Sequence, residues 1–505
     1  MLGRTCAVAL VGLHGHVVEV EAHLATSLPA FSLVGLPDAS LAESRDRVRA
    51  AVTSSGLAWP NRRITVNLSP ATLPKTGSGF DLAVAVATLA GAGVVDATSV
   101  AAWVHVGELG LDGRVRPVRG VLPAVAAAVA AGRPRVVVPA GNAAEARLVP
   151  GAEVLAAEHL AQVAARHGAD VVVPEVEPVP DVPPRRGAVE VLDLADVRGQ
   201  EDARLGVEVA AAGGHHLLLV GPPGTGKTML AARLPGLLPD LGEADAVEVT
   251  AVHSVAGTFD PAHGLLRRPP FEDPHHTATA ASVVGGGSGL PRPGAASRAH
   301  RGVLFLDEAP EFTTGVLQTL RQPLEHGELV LHRAGGTARY PARFQLVLAA
   351  NPCPCGRAVG KGLDCTCRPE QRRRYFGKLS GPLLDRVDLQ LEVPPSRSAD
   401  APGEGSAAVA ARVRDARETQ RERWRAGGWR TNGEVPARAL HAALGADARL
   451  LADLHRAVDR GTLTLRGADR VLRVAWTLAD LDGRAAPARP DVARALALRT
   501  RGHGA

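Results

Sequence analysis

The sequence predicts an α/β fold built on a parallel sheet, and three observations carry that prediction. An apolar run, Leu217–Val220, leads into Gly221-Pro222-Pro223-Gly224-Thr225-Gly226-Lys227-Thr228, after which a helical stretch opens at Met229. A second apolar run, Val303–Leu306, ends in Asp307-Glu308, and a third, Leu346-Val-Leu-Ala-Ala350, ends in Asn351. Short, wholly apolar runs alternating with helical stretches are what strands buried on both faces look like, with helices covering each side.

The elements follow in order along the 505 residues, a length that suggests more than one domain. Residues 1–173 carry β-type runs at 7–11, 17–20, 64–68 and 136–138 between Ala-rich helical stretches, and read as an α/β domain of their own. Residues 174–189 are Pro-dense, charged and without apolar periodicity, as in an extended linker. Residues 190–395 hold the glycine loop and its sheet. A weaker Pro/Gly/Ser seam at 394–406 opens a helical tail, 396–505, in which Val471, Leu472, Val474, Ala475, Leu478 and Leu481 fall on one amphipathic face.

Composition sets limits. Hydrophobic residues make up 46% of the chain, ample for globular folding, but only 3% are aromatic. The net charge of +5 is a mild excess over this length, compatible with a polyanionic partner and no evidence for one. No basic segment followed by an apolar core opens the chain, and runs such as 124–131 fall short of the roughly 20 residues of a membrane span, so a cytoplasmic protein with no membrane partner is expected.

The loop at 221–228 matches G-x-x-x-x-G-K-[ST] at every defined position. Its glycines let backbone N–H groups wrap phosphates at a helix N-terminus; Lys227 would neutralise the outer phosphates and Thr228 would ligate Mg²⁺. Asp307 would hold the same hydrated Mg²⁺ and Glu308 would polarise the attacking water, so ATP hydrolysis is the expected chemistry. Asn351, ending the run that follows, sits where AAA+ ATPases place a polar residue that orients this water; a strand-ending turn is the alternative. Arg386, within Leu383-Leu-Asp-Arg-Val-Asp-Leu389, suits a finger reaching a neighbouring subunit's γ-phosphate, or else a surface pair with Asp385 or Asp388. In the tail Arg466, Arg470 and Arg473 recur at about one helical turn; Arg466 is the favoured lid contact to bound nucleotide, a solvated helix face the alternative.

Four of the five cysteines, Cys353, Cys355, Cys365 and Cys367, cluster just after Asn351. In a reducing compartment this favours a structural Zn²⁺ site over disulfides, with free redox-sensitive thiols as the rival; Cys6 reads as an ordinary buried cysteine. The stretch from Leu329 to Phe344 reads as a hairpin turning at Gly-Gly, on which Arg333, Arg339 and Arg343 could grip DNA phosphates by charge alone. Arg372-Arg-Arg374-Tyr375 is either a stacking or phosphate-binding run or a charged helix face. His275 and His276, adjacent in sequence, are expected to point apart and to serve structure.

These motifs resemble, over nearly the whole chain, the Mg-chelatase-like AAA+ ATPases of the YifB family, with its competence-protein (ComM-like) members. The stretches that carry the likeness are Val197-Arg-Gly-Gln200, the glycine loop with its preceding strand, Pro274-His-His-Thr277, Val284-Gly-Gly-Gly287, His300 to Glu308, Asn351-Pro-Cys-Pro-Cys-Gly356 and Lys378 to Leu389. The resemblance implies a homo-hexameric ring and, for ComM-like members, branch migration on DNA. Ala295 departs from the family, which usually has an acid there. The first domain resembles the Lon protease C-terminal fold through Val34-Gly-Leu-Pro-Asp38 and Gly107 to Gly120. Gly79 and Leu122 occupy the slots of its Ser and Lys, so no peptidase activity is expected. A chelatase-type remodeller of a partner protein is the alternative function.

Overall fold

The computed structural model describes the chain except residues 37, 39–40, 42, 177–191, 288–290, 334–335, 359–361, 380, 396–400, 445–447 and 501–505. Most of the expected linker, 174–189, therefore lies outside the described residues, as does part of the seam at 394–406.

The first domain is a seven-stranded sheet in the order Ala30–Val34, Arg63–Ser69, His14–Ala25, Leu2–Val11, Val104–His105, Arg135–Pro139, Glu153–Ala157. Leu2–Val11 and His14–Ala25 form an antiparallel hairpin in which Val11 faces His14. Gly12 supplies the positive φ (67°) of that tight turn. Alternation in the second strand buries Val18, Val20, Ala22 and Leu24, the expected period of two. Helix Asp81–Ala92 is apolar nearly all round and is buried nearly all round in consequence.

The second module is a five-stranded parallel sheet in the order Phe271–Glu272, Val303–Leu306, Gln345–Ala350, Leu217–Val220, Leu389–Glu392. Leu217–Val220 and Val303–Leu306 are apolar at every position, and Gln345–Ala350 at every position after Gln345, because both faces are covered. Leu217, Leu219, Val303, Phe305, Val347 and Ala349 pack with helices Glu201–Gly213 and Lys227–Leu237. Leu218, Val220, Leu304, Leu306, Leu346 and Leu348 pack on the other side with Ala296, Phe312 and Leu317. The predicted parallel sheet with helices on both faces is thus present.

The tail contains helices Ser406–Arg423, Ala437–Leu444, Ala448–Asp459, Leu465–Leu481 and Arg489–Thr500. The amphipathic face expected at 471–481 joins the core of the second module, with His215 Nε2 2.8 Å from Thr477 Oγ1. A buried polar knot pins the tail: Asn432 receives Trp424 Nε1–H (2.8 Å) and donates to Asp480 (2.8 Å), while Arg423 pairs with the same Asp480 and lies over Trp476. The first domain is docked as well as tethered. Ala251, on helix Glu243–Ala256, is buried among Val121, Val125 and Ala128, and the Ser254 hydroxyl donates to the Glu145 carboxylate. Among the described residues no helix is long and apolar enough to cross a membrane.

Candidate nucleotide site at the strand ends

Parallel strands bring all their C-terminal ends to one edge of a sheet, where α/β folds place ligands. Val220 is in register with Ala350 and Leu306 with Leu348, so Gly221, Asp307 and Asn351 emerge side by side. Gly224 (φ 78°) and Gly226 (φ 86°) adopt the left-handed conformation that the loop needs. A Cβ at Gly224 would meet nothing within 4 Å, which leaves open space above the cradle. Helix Lys227–Leu237 starts beneath it with its positive end toward that space.

Lys227 is 8% exposed. Its Nζ donates to Gly221 O (2.7 Å), Pro222 O (2.8 Å) and Asn351 Oδ1 (3.2 Å). These acceptors are neutral, so the buried ammonium lacks a charged hydrogen-bond partner, and burial lowers its pKa. An anion in the cradle would add to the charge of the nearby Asp307 and Glu308 and stabilise the ammonium further. Thr228 Oγ1 donates to Asp307 Oδ2 at 2.8 Å, a hydroxyl and a carboxylate placed together as Mg²⁺ ligands would be. The residues present therefore fit both a polyphosphate and Mg²⁺. Glu308 is held at φ 50°, an uncommon conformation outside glycine of the kind that clusters at functional sites.

Contacts from three further residues were not anticipated. His276 Nδ1 lies 3.2 Å from Glu308 Oε2, and the rings of His275 and His276 lie 4.1 Å apart. The expectation that these histidines point apart is therefore corrected: their rings lie together, and one of them reaches the candidate catalytic acid. Gln200, at φ 52°, bridges Thr225 O and Pro394 O at 2.8 Å each, tying the loop to the segment beyond the last strand. Tyr375 is buried, which pushes its hydroxyl up to about 12, and takes the Asn351 backbone N–H. It supports Asn351 and presents no ring for base stacking. All three belong to polar stretches without apolar periodicity, the one sequence signal that could have marked them.

The arginines sit elsewhere. Asp388 and Leu389 donate their N–H groups to His216 O, at the start of the Leu217–Val220 strand and so at the end of the sheet opposite the glycine loop. Arg386, two positions earlier, pairs with the Glu325 carboxylate and feels the charges of Arg321, Arg470 and Arg466. Asp388 is buried against Arg470 (2.9 Å) and His215 (3.5 Å). Arg466 lies near enough to Arg386 to act on its charge, on helix Leu465–Leu481, whose Arg470 binds Asp388.

The hairpin forms from Glu328–Arg333 and Gly336–Pro341, with Arg333 facing Gly336; the Arg333 side chain lies outside the described residues. Arg339 pairs with Glu328 at 2.9 Å, and Arg343 follows the second strand. Both line a groove of 1180 Å³ between hairpin and first domain, together with His14, His16 and Arg301. Cys353, Cys355, Cys365 and Cys367 converge beside Asn351, their sulfurs within 4.8 Å of one another, and Cys6 is buried. In the first domain the Ser78 hydroxyl donates to Glu108, Lys75 is buried with its Nζ on Gly35 O (2.8 Å), and Leu122 is buried.

The matches to known families agree with this arrangement. The family "Magnesium chelatase, subunit ChlI" matches residues 193–401, "Subunit ChlI of Mg-chelatase" residues 20–142, and "Magnesium chelatase, subunit ChlI C-terminal" residues 403–499. An uncharacterized protein of Mycobacterium tuberculosis is 53% identical over 504 residues, covering 99% of each chain. Protein YifB of Escherichia coli is 42% identical over 94% of this chain and 92% of its own. Competence protein ComM of Haemophilus influenzae is 41% identical over 97% of this chain and 96% of its own. With a parallel sheet whose strand ends gather a glycine loop, Asp307 and Asn351, the chain belongs to the YifB/ComM-like family of magnesium-chelatase-like AAA+ proteins.

Proposed function

We propose that the chain is an ATPase that assembles as a hexameric ring and drives strand movement on branched or single-stranded DNA. The observation that carries the ATPase reading is the gathering of Lys227, Thr228, Asp307, Glu308 and Asn351 at one sheet edge, around a buried ammonium whose hydrogen-bond acceptors are all neutral. Lys227 and the loop N–H groups would bind the phosphates, Asn351 would orient water, and Glu308 would take its proton. Mg²⁺ bound by Thr228 and Asp307 would neutralise phosphate charge.

The position of Arg386 supports a ring. It lies at the far end of the sheet from its own chain's loop, so it suits the nucleotide of an adjacent subunit. DNA as the partner draws on the competence name of the Haemophilus relative and on Arg333, Arg339 and Arg343 at or beside the hairpin. The second reading, an ATPase that remodels a partner protein as part of a chelatase-type system, draws on the three chelatase matches. No peptidase activity is proposed for the first domain.

A labelled four-way junction separates the two. The motor should convert it to arms in an ATP- and Mg²⁺-dependent reaction that Glu308→Gln abolishes. An intact junction at saturating protein and ATP would favour the remodeller.

A further inference from the structure

We propose that Cys353, Cys355, Cys365 and Cys367 hold one zinc ion that fixes both Asn351 and the glycine loop, so that ATP turnover depends on a metal lying outside the reaction. The inference rests on the ATPase reading for its consequence, though not for the metal itself.

The sulfur geometry is that of a closed tetrahedral site. Four thiolates about 2.3 Å from zinc lie about 3.8 Å from one another. Here Cys353 Sγ lies 3.3 Å from Cys355 Sγ and 3.6 Å from Cys365 Sγ, Cys355 Sγ lies 3.6 Å from Cys365 Sγ, and all four fall within 4.8 Å. Backbone N–H groups of Arg357 and Ala358 point at Cys353, and those of Arg357 and Thr366 at Cys355, as outer-shell donors do around metal-bound thiolates.

Among its described residues the loop has little apolar packing of its own. Among the described residues from 353 to 367 only Cys353 and Gly356 are buried, and Leu363 stands 87% exposed. A segment without an apolar core needs a cross-link, which a metal supplies.

The loop is pressed onto the nucleotide site at three places. Cys353 follows Asn351 across one proline, so the ligand position and the Lys227 contact share a short, stiff piece of backbone. The backbone at Gly356 lies against the glycine loop so closely that a Cβ there would come within 2.6 Å of Pro223 Cδ. Helix Pro369–Gly377 leaves directly after Cys367 and returns Tyr375 to the Asn351 N–H. Releasing the metal would free these contacts together.

The test uses the full-length protein. Protein purified without chelator should carry about one zinc per chain by mass spectrometry, and a Cys365→Ser/Cys367→Ser variant should carry none. Stripping zinc from the wild type with an organomercurial should lower turnover about tenfold or more, since small misplacements of catalytic groups cost at least that. Affinity for a fluorescent ATP analogue should fall as well. Once excess thiol has removed the mercurial, both should return on adding Zn²⁺ but not further Mg²⁺, which keeps the test valid if the serine variant misfolds. Glu308→Gln should keep its zinc and its nucleotide affinity while losing turnover. If the wild type hydrolyses no ATP at all, the ATPase reading fails, and zinc content with its effect on nucleotide affinity still decides this proposal. Protein that takes up no zinc on titration, or stripped protein with wild-type nucleotide affinity, would overturn it.

Discussion

His276 Nδ1 lies 3.2 Å from Glu308 Oε2, so the carboxylate assigned to activating water is already held by a neighbour from another part of the chain. The pair is partly open to solvent, which limits its worth to about 0.2–1 kcal/mol. Relieving it in His276→Ala should therefore raise basal turnover by no more than about fivefold, with KM little changed, and His276→Gln should return toward the wild type. An unchanged kcat in His276→Ala would show that the contact does not restrain Glu308.

Binding and chemistry should separate by residue. Lys227→Ala removes a charged donor from the cradle and should weaken a fluorescent ATP analogue by about tenfold to a hundredfold. Glu308→Gln keeps the shape of the site and should leave that affinity near wild type while lowering kcat by about 10² to 10⁴. Equal loss of affinity in both variants would contradict the assigned roles.

Arg386 is expected to act across a subunit boundary. Arg386→Ala should lower turnover by about 10³ or more without changing nucleotide affinity. Mixed with Lys227→Ala, which cannot bind nucleotide tightly but keeps its arginine, it should regain activity at the shared sites. Two inactive variants that stay inactive when mixed would place the role of Arg386 within one chain.

Acid should destabilise the first domain earlier than its carboxylates would predict. Burial pushes His105 down to about 3, and burial with the nearby Arg166 pushes His167 down to about 4, with the Nε2 atoms 3.1 Å apart. In the unfolded chain both titrate near 6.5. The unfolded state thus binds protons that the fold refuses, and stability present above pH 6.5 is lost as pH falls toward 4. The slope is at most about 1.4 kcal/mol per pH unit for each histidine. A Tm followed from pH 7.5 to 5 should fall, and more shallowly in His167→Asn; a flat profile in the wild type would refute the buried neutral pair.

Three central strands of the second module were readable because they are short, almost wholly apolar and followed by chemistry-bearing residues. Leu217–Val220, Val303–Leu306 and the run ending at Ala350 each lie where periodicity and length place a doubly covered strand. Lys227, Thr228, Asp307 and Asn351 come with them, since each leaves a strand end within a few residues. The contacts that escaped depend on distant segments meeting. His276 reaches Glu308 only because the Phe271–Glu272 strand pairs beside Val303–Leu306, and no spacing rule encodes that neighbour. Arg466 escaped as a neighbour of Arg386 for the same reason. Its one-turn spacing identified a helix face, but which end of the sheet that face meets is set by packing of Val471, Val474 and Leu478 into the core. The pairing of Arg339 with Glu328 across the hairpin likewise depends on strand register.

Steady-state ATP hydrolysis with Mg²⁺, measured with and without a four-way junction and single-stranded DNA, tests the DNA-motor reading most directly, with an Arg339→Ala/Arg343→Ala variant alongside. Hydrolysis that rises several-fold with DNA, and loses that rise in the variant while the basal rate persists, is the expected result. A basal rate that no DNA changes would contradict a DNA motor, and the absence of any Mg²⁺-dependent hydrolysis would contradict the ATPase itself.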